Sequence, residues 1–519
     1  MIWKIAKKEF LLNLMTFKFA VGAVVCVVLT AVFMPVLVSD YQRSLKDYND
    51  KVARNEAELW KVKVYMNITP TVYRPPNVLS VFSEGLEKQL GQSAKIELGG
   101  VSEISAASTG GNPFLSIFPT LDVMLVLKVV MSILAVLVAY DTISGEREQG
   151  TLKLILSGAV ARYQVLLGKL LAGLATLIIP VTSAFIVGLL ILQYFPMVSL
   201  PGVDSIRIVL MYFLSLIFIS SMYNIGLLFS CLMRKSSISL VLGLFVWVVF
   251  VVVIPNGSIY LANYLRPTEA REKMDAQVKA LVQERDNEIY DLTKTLRDGG
   301  NYSGAYGAFG GFFVLYCDEL YRRDLQRRYA RSEPIKIKYA DRIFEVQQQY
   351  LAGLNKQKYL ASAIAQVSPI TLYENLMSAL AGTDLGSYDH FRNRVKKHTN
   401  VVIEYIRSKT ENFSSLSYFT PTKEEDHLEF VETARRAYDR GSIDSAERTF
   451  WREKFDELCK EKLKQTPSLN LQDLPRFTSG HESFVRTLQR TISHITLLLF
   501  INAFFFTLSF VAFLKYDIR

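Results

Sequence analysis

The chain has 519 residues, half of them hydrophobic and 12% aromatic, with a mean hydropathy of +0.20. Soluble domains rarely combine that length with that apolar content, so a purely soluble globular protein is excluded first. The formal net charge of +10 lies largely beside apolar runs. It calls for anionic lipid headgroups and needs no nucleic acid.

In chain order, six runs are long enough to cross a bilayer as helices: Phe19–Val38, Phe118–Ala139, Leu170–Leu192, Ile208–Met233, Ile238–Ile254 and Ile492–Leu514. Each approaches the ~20 residues needed for ~30 Å of hydrocarbon. Continuous apolar runs favour helices over barrel strands, because each helix satisfies its own backbone. The first run ends in "MPVLVSD" without a small-x-small cleavage site, so it reads as an uncleaved span. Lys4, Lys7, Lys8 and Lys18 precede it; Arg234 and Lys235 fill the turn after the fourth span, and Lys515 and Arg519 follow the sixth. Basic residues concentrate on the cytoplasmic side, so both termini and the loop at 140–169 are expected on the cytoplasmic side.

Segments 39–117 and 255–491 are then expected outside and together exceed half the chain. The first opens with a helical stripe, Tyr41, Leu45, Tyr48, Val52 and Leu59, that extends span 1 as a stalk. A strand-like "KVKVYM", an "RPPN" turn, a helix over "VLSVFSEGLEKQL" and a Ser/Gly connector follow. The second segment begins with a stripe from Met274 to Leu296 that is expected to pair with the stalk. The Gly- and aromatic-rich stretch "GGNYSGAYGAFGGFFVLY" reads as a flexible connector, with a membrane- or ligand-touching loop as the alternative. Further helices are expected at Tyr339–Val367, Leu372–Ala381, His390–Lys409, Glu424–Asp439 and Ser445–Lys464. The fold class expected is mainly α: a polytopic membrane protein with six transmembrane helices, an N-terminal interfacial helix and a large, mostly helical extracytoplasmic domain.

Of four cysteines, Cys26 and Cys231 lie in spans; Cys317 and Cys459 lie outside and form a candidate disulfide, the alternative being buried free thiols. No GxxxxGK[ST], HExxH, CxxC or GxSxG pattern occurs, and the five histidines have no metal-ligand spacing. The chain therefore reads as a non-enzyme without metal or cofactor. Two charges mark the second span, Asp122 near its outer end and Lys128 deeper. Intramembrane ionisable residues are functional candidates. Six residues apart on a helix they point in different directions, so they are not expected to pair. Asp122 reads as interfacial, and Lys128 either snorkels or faces a subunit seam. Ser220, Ser221 and Asn224 read as interhelical hydrogen-bonding groups.

The stretch "DTISGEREQGTLKLILSGAVARYQVLLGK" joins spans 2 and 3. Its Asp141, Ser144, Gly145, Glu146, Gly150, Thr151, Leu152, Ser157, Arg162, Leu167, Gly168 and Lys169 resemble the cytoplasmic loop of type-2 ABC exporter permeases. It departs where Gly158-Ala159-Val160-Ala161 replaces a common proline. Fragments "RPPNVLSVFSEGLE", "SPITLYENLMSALAGTD", "LQDLPRF" and "KYDIR" narrow the likeness to the large-loop branch related to nitrous-oxide-reductase maturation permeases. The resemblance implies two permease copies, or two related permeases, on cytoplasmic ABC ATPases that bind the ATP. It implies that residues 1–18 form an interfacial helix with Trp3, Phe10, Leu14 and Phe17 toward lipid. It also implies that Asp141, Ser144, Gly145, Glu146, Arg147, Gly150, Thr151 and Arg162 belong to the ATPase-coupling element. Export, or envelope maturation, is the leading expectation; a subunit that moves its outer domain without translocating a substrate is the alternative.

Overall fold

The computed structural model describes residues 1–62, 68–96, 104–105, 122–157, 160–195, 202–268, 270–295, 304–309, 312–317, 319–409, 433, 436–437, 444–465, 468–478, 480 and 482–515. Helix α1 (Ile2–Leu14) is separated from α2 (Phe17–Leu59) by Thr16, whose extended backbone breaks the helical run. The hydroxyl of Thr16 donates to the Asn13 carbonyl at 2.7 Å. Helix α2 carries span 1 and its stalk without interruption. The second span starts at α3 (Val123–Leu125), widens into a π-helical turn at Val126–Met131, and continues as α4 (Ser132–Ala139). Two short helices follow, α5 (Ser144–Glu148) and α6 (Thr151–Ser157). Then come α7 (Arg162–Tyr194), α8 (Gly202–Leu232) and α9 (Ser236–Val248), with a second π-helical turn at Val249–Val253 leading into α10 (Ile254–Leu265). A last span closes the chain. Among the described residues six helices are long and apolar enough to cross a membrane, one of them the continuous Ser236–Leu265, which runs well past the apolar stretch of span 5.

The last span helix packs on α8, with Ser220 and Asn224 at the seam, whereas Ser221 donates back to the Ile217 carbonyl of its own helix. Asn224 Nδ2 donates to Asn502 Oδ1 at 2.7 Å, and Asn502 Nδ2 donates to the Ile217 carbonyl at 3.1 Å. Gly226 lets α4 approach α8: a Cβ there would stand 2.7 Å from that of Ala139. With no hydrophobic drive between helices in lipid, such close contacts and hydrogen bonds hold the bundle.

Beyond the spans, β1 (Thr71–Tyr73), β2 (Ser93–Lys95) and β3 (Ile104–Ser105) form an antiparallel sheet, with Thr71 opposite Lys95 and Ser93 opposite Ser105. The strand expected at "KVKVYM" lies mostly outside the described residues. The helix expected over residues 78–90 shrinks to a 3₁₀ turn at Val78–Val81. Phe82 is its C-cap, and Gly85, further on, is held at φ +50°, where a side chain would meet the Thr383 hydroxyl at 2.5 Å.

Helix α11 (Arg271–Thr295) does not pair with the stalk as expected. It packs along α12 (Glu319–Ala365), where Glu284 meets Arg342 at 3.4 Å and Glu288 meets Lys338 at 3.3 Å. Between them lies a hairpin, β4 (Gly304–Phe309) and β5 (Phe312–Cys317), paired from Gly304–Cys317 to Phe309–Phe312. The hairpin falls on the stretch read as a connector. Sequence neighbours joined by a hairpin have the shorter route to antiparallel packing. The stalk instead carries the sheet: Asn55 Oδ1 accepts from the Thr71 amide at 3.0 Å, and Glu56 pairs with Arg476 at 3.2 Å.

Helix α13 (Pro369–Ala381) has a complete set of end signals. Ser368 caps its first turn, Pro369 occupies N1, and Gly382 follows at φ +71° in the left-handed region. Ile370, Leu372, Tyr373, Leu376 and Leu380 join the core of the spans. Tyr373 stacks on Phe218 of α8 with centroids 4.3 Å apart and shares a 2.9 Å hydrogen bond with Ser215. A helix read as one more element of the second segment is thus wedged into the bundle. Helices α14 (Leu385–Lys409), α15 (Ser445–Gln465) and the final span α16 (Phe484–Leu514) complete the described elements. A second, smaller core gathers Ile68, Val72, Ala94 and Ile96 around Phe391, Val395 and Val402 of α14. The helix expected at Glu424–Asp439 lies mostly outside the described residues, which are helical at 433 and 436–437, and the side chains of Cys317 and Cys459 lie outside them.

Candidate coupling site between spans 2 and 3

The loop is two helices at an angle set by one glycine. Gly150, between α5 and α6, has φ +74° with open space where a side chain would project. The left-handed backbone selects glycine there, not crowding.

Helix α5 is fastened on every side. Lys169 of α7 is 2% exposed and meets Glu146 at 2.8 Å and Glu9 of α1 at 3.1 Å. One ammonium therefore joins α1, α5 and α7. Helix α1 comes close because Gly168 is bare: a Cβ there would stand 2.9 Å from Ile5. Arg147 reaches the end of α8, donating to the carbonyls of Met233 at 2.9 Å and Cys231 at 3.1 Å. The last carbonyls of a helix carry partial negative charge, and a guanidinium there satisfies and stabilises them. Glu148 does the converse at the start of α9, accepting from the Ser236 amide at 3.1 Å and hydroxyl at 2.5 Å. Those bonds hold the exposed Glu148 carboxyl below the usual carboxylate range. Ser144 is buried, and its amide and that of Ile143 donate to Ser230 of α8 at 3.1 and 2.9 Å. Asp141 pairs with Lys18 at 2.6 Å, Gly145 sits over Asp141, and Arg162 donates to the Leu514 carbonyl at 2.6 Å.

Helix α6 differs. Leu152 is buried, while Leu154 is 75% exposed and Thr151, Lys153 and Ser157 face outward. The Thr151 hydroxyl donates back to the Glu146 carbonyl at 3.2 Å. Of the residues assigned to coupling, Asp141, Ser144, Glu146, Arg147 and Arg162 are thus engaged within the chain. Gly150 and Thr151 orient the exposed helix.

The two span charges separate as their spacing implies. Asp122 is buried as the N-cap of α3, accepting from the Leu125 amide at 2.7 Å and the Glu84 amide at 3.0 Å. Lys128 lies in the first π turn and forms an ion pair with Glu374 of α13, so its partner is within the chain. Sequence reasoning missed Glu9, Lys18 and Glu374. Glu374 did have a signal, as the one charged residue in a largely apolar 13-residue helix. Among the described residues no group of His, Cys, Asp or Glu could hold a metal ion.

Six apolar spans, a docked amphipathic N-terminal helix and a braced loop bearing one exposed short helix are the features of a multi-pass membrane protein. Residues 3–518 match the ABC-2 family of transporter proteins, and the chain belongs to that family. It is similar to the probable ABC transporter permease protein NosY of Stutzerimonas stutzeri, 42% identical over 71 residues. That stretch is 14% of this chain and spans 26% of the relative's length. Members of this family are membrane subunits, not enzymes in themselves.

Proposed function

We propose that this chain is the membrane-spanning permease subunit of an ABC transporter, coupled to a separate cytoplasmic ATPase that binds and hydrolyses the ATP. The observation that carries the reading is α6. An exposed leucine and lysine sit on a seven-residue helix whose neighbour α5 is tied to α1, α7, α8 and α9. A water-soluble motor can move spans only through such a rigid grip. The Lys/Arg distribution supports an inner-membrane orientation with both termini and α6 in the cytoplasm and the large segments outside. The lipid-exposed side of α9, with Val241, Phe245 and Val252 beyond it, supports pairing with a second copy or a related permease. Export or envelope maturation is the role proposed. The wedge α13, joined to Lys128, favours a second reading in which the outer domain is moved and nothing crosses.

The test is Leu154→Asp in the full-length protein, with the cognate ATPase co-expressed. Expression and membrane insertion should be unchanged, because the residue is solvated, while ATPase co-purification falls at least tenfold. Undiminished co-purification and hydrolysis would remove α6 from the interface.

A further inference from the structure

Three sequence fragments that the coupling site does not use meet in space. "RPPN" supplies Arg74, Pro75 and Asn77; "ALAGTD" supplies Gly382; "LPRF" supplies Phe477; all line one cavity of ≈ 30 Å³. Arg207, at the start of α8, and Arg394 of α14 complete its cationic wall, with His390 of α14 lining it beside them. The cavity sits at the end of the bundle away from the loop, where α8 and α16 begin.

Charge bookkeeping leaves this wall short of anions. Arg74 is answered by Glu87 at 3.0 Å, and Glu482, which also lines the cavity, is taken by Arg490 at 3.1 Å. Arg207 is 3% exposed, yet among the described residues it meets only carbonyls, Leu380 at 3.4 Å and Glu482 at 2.8 Å. Its Nε has no partner there, nor has Nη1 of Arg74. Arg394 likewise donates to the carbonyls of Gly480, at 3.2 Å, and Thr478. Gly480 leaves room for this guanidinium, which lies 2.4 Å from where a Cβ would stand. Two guanidiniums thus have no carboxylate partner among the described residues, and one of them is buried. A buried charge without a counter-ion is costly. Ser483, the N-cap of α16, makes no side-chain cap among the described residues, and Thr487 in the second turn of that helix lines the cavity.

We propose that this cavity is an anion site that takes a phosphate group. Guanidinium forks match phosphate oxygens, and helix N-termini add amide donors. The volume exceeds the ~10–15 Å³ that one water requires but is far below a whole ligand's. It therefore admits one small charged group at a time. Its place at the bundle's rim gives two sources: the headgroup of an anionic lipid in the adjacent leaflet, or a soluble phosphate. The site is independent of α6, so its failure would leave the ATPase test above intact.

The experiment uses the full-length protein in detergent, titrated with phosphatidylglycerol, phosphatidylcholine or inorganic phosphate, with bound adducts counted by native mass spectrometry. Arg394→Gln is the main variant, because Arg74 and Arg207 also brace carbonyls of the α13 end; His390→Ala is the second. Phosphatidylglycerol retained at least tenfold better than phosphatidylcholine, with the preference cut at least fivefold in Arg394→Gln, supports a lipid headgroup. Inorganic phosphate bound in the same variant-sensitive way, without lipid preference, supports a soluble source. Lack of any anion preference, or a preference indifferent to both substitutions, overturns the proposal.

Discussion

Replacing Lys169 by methionine tests whether the loop is braced as a unit. Methionine keeps the length of the side chain and removes the ammonium that meets Glu146 at 2.8 Å and Glu9 at 3.1 Å. Two carboxylates then face each other across the space, one on α5 and one on α1. Truncating one partner of a buried pair costs about 3–5 kcal/mol. Here the carboxylates are 17% and 18% exposed, so water screens part of the loss and the lower end, about 3 kcal/mol, is expected. At about 1.4 kcal/mol per tenfold, the undocked population of α1 and α5 rises roughly a hundredfold. Amide hydrogen exchange in lipid nanodiscs reads that population directly. Peptides covering 2–14 and 144–148 should exchange roughly a hundredfold faster, while peptides from α16 are unchanged. Glu146→Gln, which leaves Lys169 bound to Glu9, should show a smaller loss of about 1.5 kcal/mol. Unchanged exchange in Lys169→Met would mean that apolar packing of α1 on α7 holds the loop, and the ion triad would carry no weight.

Gly150→Ala places a side chain in open space but in the left-handed backbone at φ +74°, costing about 1–2 kcal/mol. Faster exchange confined to residues 151–157 would report the lost angle of α6. Lys128→Met should insert normally yet leave Glu374 without its cation. Exchange across 369–381 should rise, and adding Glu374→Gln should recover most of the protection if the pair, not the lysine alone, matters. For orientation, single cysteines at Ser445 and Ser157, both exposed, should label oppositely with an impermeant thiol reagent in intact cells: Ser445 reacts and Ser157 does not.

The spans were legible because each is a continuous apolar run, and lipid allows such a run little besides a helix. Their outer edges were less so. Ile238–Ile254 stops where hydropathy falls, whereas the helix continues to Leu265 because backbone hydrogen bonding does not stop at a polar residue. The loop was legible as a motif but not as an arrangement. Glu146 and Arg147 read as interface charges, since a sequence cannot show that Lys169, 23 residues on, and the end of α8 already occupy them. Helix α13 was legible in outline, with Ser368, Pro369 and Gly382 as its punctuation. Its burial was hidden, because apolar residues in a long outer segment are compatible with any core. The pairing of α11 was misread for the same reason: a stripe states that a face is buried, not against what.

The contacts at the two ends of span 2 bear on how ATP-driven movement would be used. At one end, α4 runs through Tyr140 directly into the braced α5. At the other, the π turn at Val126–Met131 presents Lys128 to Glu374 of α13. A π turn carries an extra residue, loosens the local ladder and is commonly retained at functional sites. The second π turn, Val249–Val253, is tied to the same wedge, because the Ser368 hydroxyl donates to the Phe250 carbonyl at 2.8 Å. Trp247, just before that turn, donates to Ser132, just after the first, at 2.8 Å. The two irregular turns are therefore linked to each other and to α13, whose far end is held by Arg74 and Arg207 through the carbonyls of Gly382 and Leu380. A shift of α5 and α6 along this path would reach the β1–β3 sheet through Arg74. This linkage favours the transmission reading, and Lys128→Met separates it from transport. Under transmission, the substitution should uncouple the outer domain from ATP-dependent change while leaving ATPase binding intact. Under transport, with α13 only a plug, it should loosen the wedge and raise leak. Normal coupling with no leak would mean that neither process runs through this contact.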